Sequence, residues 1–194
     1  TETLREKYSA SIDGELFGGN VADYKEKVNA IPGVGGVKVY PVWNGGGTVK
    51  LVIIASDCTV PSEELVQRVQ TSIDPEVNHG EGLGIAPIGH TVTVTGVTAQ
   101  TVNIQSNITF ISGWSWEAAQ SQIEDAIKTY FAELAEEWED AVATIVRISQ
   151  IETRLLDLPC VLDITDTTLN GQAKNLQVDA DIIPMIGTVG AVGT

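Results

Sequence analysis

The densest gathering of reactive residue types is His79-Gly80-Glu81-Gly82-Leu83-Gly84, with His90 shortly after it. Two imidazoles and a carboxylate are metal-ligand types, but a zinc site needs three or four protein ligands at a workable spacing. His79, Glu81 and His90 follow no such spacing, and no further reliable ligand stands near them. The glycines invite a phosphate-loop reading. A dinucleotide loop, however, follows a strand and opens a helix, and a P-loop ends in Lys-Ser or Lys-Thr. This segment follows a helical pattern, leads into a strand pattern and lacks the lysine. It reads as a hinge or interdomain linker, with Gly80, Gly82 and Gly84 as hinge residues. The competing reading is a metal- or nucleotide-dependent enzyme using the loop between His79 and His90.

Glu133, Glu136, Glu137, Glu139 and Asp140 form an acidic cluster. Acid–base catalysis needs carboxylates that converge on a pocket with separated pKa values. Here they lie outside an apolar helical stripe, so they read as a solvated face that can also serve as an acidic docking surface. No serine sits in a G-x-S-x-G elbow, and neither cysteine has a local nucleophile signature. The residues alone point to no catalytic group, cofactor or metal. Trp43, Trp114, Trp116 and Trp138 have core packing as their default role. Trp114 and Trp116 bracket a helix start, where an aromatic pair can anchor a partner subunit. The interface candidates are Trp114, Trp116, Trp138, Glu133, Glu136 and Glu137.

The charge narrows the partners. Eleven Lys and Arg against 26 Asp and Glu give −15, which argues against a phosphate backbone or an anionic membrane surface. Such a charge keeps a chain soluble, and it also suits a basic partner subunit. Cys58 and Cys160 are too far apart for a CxxC motif, and free buried thiols are expected rather than a disulfide, as in a reducing cytoplasm. No signal peptide and no bilayer-length apolar run is visible. The chain opens without Met in a charged segment, which reads as a piece of a longer protein. Only residues 187–194 read as a disordered tail.

The elements follow from periodicity and breakers. Residues 1–9 read as a short polar helix and 13–19 as a Gly-rich connection. Asn20 is the expected N-cap of a helix whose apolar face is Val21, Tyr24, Val28 and Ile31. Strands at 37–39 and 49–54 flank the turn at Asn44-Gly45. Pro61 suits the first turn of a helix with Leu65, Val66, Val69 and Ile73 buried, stopped at Asp74-Pro75. Strands are expected at 91–98 and 101–111, the first with a solvated threonine face. Ser115 opens the longest helix, to about Asp140 and ~35 Å long, with an end that projects toward another chain. Its apolar face is Trp116, Ala119, Ile123, Ala126, Ile127, Tyr130, Phe131, Leu134 and Trp138. A short strand at 144–147, a helix capped by Ser149 and running to about Leu158, and a second hairpin at 160–166 and 175–183 complete the chain.

One pattern occurs twice. Residues 29–54 and 155–183 each run from a helix end through Ile/Leu-Pro-x-Val into a strand, an Asn-Gly turn and another strand. Asn and Gly tolerate the positive φ of tight hairpin turns. The expected architecture is therefore α+β, in two small domains of 1–85 and 86–194 with an internal repeat, each a β-hairpin or sheet packed on helices.

Five segments resemble the Baseplate J-like proteins of contractile phage tails and phage-like elements. They are TETLREKY, GGNVADYKEKVNAIPGVGGVKVYPVWNGGGTVKLVII, PSEELVQRVQTSIDPE, GEGLGIAPIGHTVTV and LPCVLDITDTTLNGQAKNLQV. The likeness is to the middle and C-terminal parts of the family pattern, and the family's N-terminal portion has no counterpart. Cys160 stands where the family more usually has Gly after Pro. The resemblance implies a structural part of the wedge or ring around the tail hub. Such a part contacts other baseplate proteins and copies of itself, sits in the virion tail baseplate after assembly in the bacterial cytoplasm, and has no catalytic residue to carry over. The same resemblance covers the equivalent part of a phage-derived injection machine or contractile bacteriocin. The predicted contact surfaces are the helix at 115–140, its Trp114/Trp116 entrance and the loop at 78–89.

Overall fold

The computed structural model describes residues 18–191, so the short helix expected at 1–9 lies outside the described residues. The chain folds as α1 (Val21–Asn29), β1 (Val34–Pro41), β2 (Thr48–Ala55), α2 (Glu63–Ile73), a 3-10 turn (Glu76–Asn78), β3 (Thr91–Gly96), β4 (Thr98–Phe110), α3 (Trp116–Glu136), β5 (Thr144–Val146), α4 (Ile148–Leu156), β6 (Val161–Leu169), β7 (Leu176–Val178) and β8 (Ile182–Ala191). The class is α+β, in two units. The sheets are ordered β1-β2-β3, β6-β4-β8 and β5-β7.

Strand β2 explains the layering. Its run Leu51-Val52-Ile53-Ile54 is buried on both faces, as a continuous apolar strand must be. Side chains alternate across a strand. Leu51 and Ile53 face Tyr24, Val28, Val69 and Ile73 of α1 and α2. Val52 and Ile54 face the other way, onto Val97, Ala135, Trp138 and Ile183. The first sheet is therefore sandwiched between its own helices and the second unit. The second core gathers Ile104, Ile123, Ile127, Phe131, Ile151 and Leu169 between the β6-β4-β8 sheet, α3 and α4.

Several expectations change. Strand β3, expected beyond a boundary at residue 85, pairs in parallel with β2 from Thr48↔Thr91 to Ile53↔Gly96. The change of sheet falls at Val97, which is 1% exposed and whose N–H bonds the Ile53 carbonyl at 2.8 Å. Pro61 stands before the N-cap, which is Ser62. Helix α3 stops at Glu136, about 31 Å long, and its end does not project. Ser149 does not cap α4; the first free N–H, that of Ile148, is taken by Asn175 Oδ1 at 3.0 Å. Residues 187–191, expected as a tail, complete β8, whose pairing with β4 reaches Ser106↔Ala191. No helix among the described residues is long and apolar enough to cross a membrane.

The repeat holds locally and fails globally. Both α1 and α4 end in the same turn: Ile31 N–H to Val28 O and Val34 N–H to Ile31 O, against Leu158 N–H to Leu155 O and Val161 N–H to Leu158 O. Gly33 makes its turn at φ +96, whereas Cys160 is not among the positive-φ residues, so the thiol side chain causes no strain there. Beyond these turns the halves diverge. Strand β1 folds back on β2, but β6 pairs with β4, β7 with β5, and β8 with the other edge of β4.

Candidate assembly surfaces and the seam between the units

The seam is built by alternate residues of β1 and β2. Lys38, Tyr40 and Lys50 share the face of Val52 and Ile54, because Lys38 stands opposite Val52 and Tyr40 opposite Lys50 in the ladder. Lys38 is 8% exposed and donates to the carbonyls of Ala141 at 2.7 Å and Ala180 at 2.8 Å. Its ammonium lies 4.6 Å from the centre of the Trp138 ring, an attraction that strengthens when water is excluded. Trp138 Nε1 donates to the same Ala180 carbonyl at 2.8 Å. Burial pulls the Lys38 pKa down, partly countered by Asp181.

Asp181 is the second fastening. It accepts Lys50 Nζ at 2.7 Å and the Tyr40 hydroxyl. Burial works to raise its pKa, but the bonds from Lys50 and Tyr40 win and hold it below the ordinary carboxylate value. The same contact, after burial, pushes the Tyr40 phenol up. At the rim, Lys25 of α1 pairs with Glu139 at 3.3 Å and Asp140 at 3.0 Å. The end of the expected acidic cluster is thus engaged within the chain.

The structure separates the interface candidates. Trp138 is fully buried in the seam and has no face left for another subunit; the chain turns into the core just past the end of α3, where Ala135 and Trp138 pack on Val52 and Ile54. Trp114 is 37% exposed, and Trp116 is half-buried against the second core. Glu133 accepts a bond from Arg154, while Glu136, the last residue of α3, and Glu137, its C-cap, lie exposed.

Gly80, Gly82 and Gly84 do not join the units. Their loop lies inside the first unit, between α2 and β3, and it is fastened down. Asp74, 1% exposed, accepts His79 Nδ1 at 2.7 Å, Gly80 N–H at 3.0 Å and Val92 N–H at 2.8 Å. Burial works to raise the Asp74 pKa, yet these donors hold it below its ordinary value. Gln70, also buried, bonds the Asp74 and Val92 carbonyls and accepts Val94 N–H. Ile85 and Ala86 N–H bond the last carbonyls of α2, those of Ser72 and Ile73. Gly84 is required there, since a Cβ would stand 2.3 Å from the Ile73 oxygen.

The histidines go to separate partners. His79 serves Asp74, while His90 Nδ1 meets the Tyr24 hydroxyl at 2.9 Å with the rings stacked. Burial, then the Asp74 charge, pushes the Tyr24 phenol up to about 12. The described residues hold no group of three or more His, Cys, Asp or Glu placed to hold a metal ion. Both cysteines are free; Cys160 is buried and Cys58 only half-buried. Sequence reasoning missed Asp74 and Asp181. The first was read as a helix stop, and the second carried no motif. Asp74 ends α2 and Asp181 directly precedes β8, and the partners that give each its role, Val92 for the first and Tyr40 and Lys50 for the second, are remote in sequence.

Two sheet-bearing units locked face to face match two consecutive domains of one family. Residues 16–96 match the Baseplate J-like central domain and residues 102–192 the Baseplate J-like protein C-terminal domain. The chain belongs to the Baseplate J-like family. It is 35% identical over 188 residues to the phage-like element PBSX protein XkdT of Bacillus subtilis (strain 168), covering 97% of this chain and 52% of that protein. It is likewise 35% identical over 191 residues to the uncharacterized protein YqbT of the same strain, covering 98% of this chain and 53% of that one. The chain thus spans about half the length of the curated relatives it matches. Among solved structures, a chain of the anti-feeding prophage baseplate shares the fold, with a TM-score of 0.62 at 12% identity over 96% of this chain and 41% of that one.

Proposed function

We propose that this chain is a structural part of a contractile phage or prophage tail baseplate and acts through protein–protein contacts, including contacts between copies. The observation that carries the reading is the pair of consecutive Baseplate J-like domains, central then C-terminal, across nearly the whole chain. The seam supports it. Lys38, Trp138 and Asp181 join the two units into one body, which suits a part that transmits force between neighbours. The buried Asp74 and Lys38 and the half-buried Asp181 are all engaged in holding the fold together, which supports a non-catalytic reading. The proposed contact surface is the exposed acidic side of α3, carrying Glu133, Glu136 and Glu137, with the Trp114/Trp116 entrance. Its place is the baseplate end of the particle, and neither a nucleic acid nor a membrane is a partner.

The likeness in fold to the anti-feeding prophage baseplate chain favours one second reading, the equivalent part of a phage-derived injection machine. The test for both is assembly. Replacing Trp116→Asp together with Glu133→Lys, Glu136→Lys and Glu137→Lys in the full-length gene product is expected to leave tails without complete baseplates by electron microscopy. Intact baseplates from that variant overturn the contact surface. Light scattering over a range of concentration reads self-association separately.

A further inference from the structure

One end of the first unit exposes more apolar surface than its fold requires. The β1–β2 turn presents Val42, 62% exposed, and Trp43, 47% exposed, while the neighbouring loop presents Leu83 at 67% and Ile88 at 82%. The two loops are docked together: Thr91 N–H bonds the Gly47 carbonyl at 2.8 Å, and a Cβ on Gly47 would stand 2.8 Å from the Gly89 oxygen. Beside them, between the β1–β2 hairpin and the start of α1, opens a cavity of about 140 Å³ lined by Val21, Tyr24, Val39, Pro41, Val42 and His90, the last being the one residue of the 79–90 loop on it. Neither loop is loose. Asp74 and the α2 carbonyls fasten one; Val42 N–H to the Thr48 carbonyl at 2.7 Å fastens the other. Val42 sits at φ +58, a costly conformation for a β-branched residue, and its side chain emerges into solvent. Strain held in place to present an apolar side chain points outward, to a ligand.

Charge decides between occupants. Residues 39–49 and 69–90 contain no Lys or Arg, and the charged side chains exposed in these loops are Glu76 and Glu81. A complementary surface is apolar with a basic rim. A second copy is poorly suited to supply it. The chain carries −15, and seven of the nine Lys and Arg among the described residues are already engaged: Lys25, Lys27, Lys50, Lys128 and Arg154 with carboxylates, Lys38 and Arg68 with carbonyls, which leaves Arg147 and Lys174 exposed.

We propose that this end of the first unit is a preformed socket for a different polypeptide, one that inserts an apolar side chain between Val42 and His90 and rings Glu76 and Glu81 with Lys or Arg. The proposal rests on the assembly reading above but uses a surface separate from the acidic side of α3.

The test titrates the purified products of the genes flanking its own into the chain, one at a time, by calorimetry. One of them is expected to bind. Trp43→Ala with Leu83→Asp is expected to weaken that binding about 30-fold or more, as for hot-spot residues, and Glu76→Lys with Glu81→Lys several-fold, with a reduced salt dependence. All four positions are exposed, so circular dichroism and the thermal midpoint should stay unchanged. Glu136→Lys with Glu137→Lys should leave this binding intact. Binding that responds to the α3 variants and not to the socket variants overturns the socket and leaves the assembly reading standing. Loss of self-association, or of binding by a peptide of residues 1–17, in the socket variants assigns the socket to a copy of this chain and overturns the proposal. No binding by any flanking product overturns the socket, while the assembly reading is judged separately by the baseplate micrographs.

Discussion

Asp74 and Asp181 hold parts of this chain that are far apart in sequence, and they do it differently. Asp74 is 1% exposed and meets two backbone N–H groups and one imidazole. Asp181 is 35% exposed and meets two long side chains, Tyr40 and Lys50. The first fixes backbone within one unit; the second joins the face of one unit to another. Backbone donors lose little freedom on bonding and cost much when left unsatisfied in the interior. Side-chain donors on a half-wet seam contribute less and are screened by water. The Asp74 clamp should therefore be stiff and hard to replace, whereas the Asp181 link should weaken in steps without loss of either fold.

The contrast breaks most severely at Trp138, where the seam has its apolar centre. Trp138→Ala removes a fully buried ring and the cap over Lys38 and is expected to cost about 4 kcal/mol. A single denaturant transition should split into two. Retention of one transition at the wild-type midpoint would show that the seam does not couple the units. Next, Asp74→Ala strands the N–H groups of Gly80 and Val92 and should cost about 3 kcal/mol. Proteolysis should then begin within residues 79–90, which are protected in the parent protein. A smaller effect, about 1 kcal/mol, is expected for Asp181→Asn, with the units still folded and the loop still protected.

Acid sharpens the same comparison. Both aspartates have folded pKa values below the ordinary value of 3.8, so each favours the folded state above that value. The contribution is lost as pH falls through the depressed folded value. Denaturant midpoints measured downward through this range should fall less steeply in Asp74→Asn and in Asp181→Asn than in the parent. An unchanged slope in both would contradict the assignment. The smallest effect is expected from Glu133→Gln, which removes an exposed pair with Arg154 and should change stability by roughly 0.5 kcal/mol or less.

Local signals were legible and long-range pairing was not. Asn20 caps α1 through Asp23 N–H as its type suggests, and the helical stripes on α1, α2 and α3 lie inward apart from Val21. The two Asn-Gly turns show where the reading stops. At Asn44-Gly45 the strands pair as a ladder, but across a wide loop closed by Thr48. At Asn170-Gly171 the tight turn forms, with φ +49 and +76 and paired bonds between Leu169 and Gln172, but the ladder goes no further. Asn103 and Thr101 of β4 take the backbone N–H and side-chain NH₂ of Asn170, and β6 follows β4 instead. Turn chemistry is set by adjacent residues; strand partners are set by which faces must be covered, and that depends on the whole chain. The same limit hid the seam, because Lys38, Lys50 and Asp181 acquire their roles only when β1, β2 and the start of β8 meet. It also left Trp138, already on the apolar face of the long helix, among the candidates for contact with another subunit, when it is the centre of a contact inside the chain.

The most direct measurement is gold labelling of purified tail particles with an antibody to this chain, viewed by electron microscopy. The account predicts label clustered at the baseplate end in a fixed number per particle. Label along the tail tube, or none on washed intact particles while free protein is recognised, would contradict it.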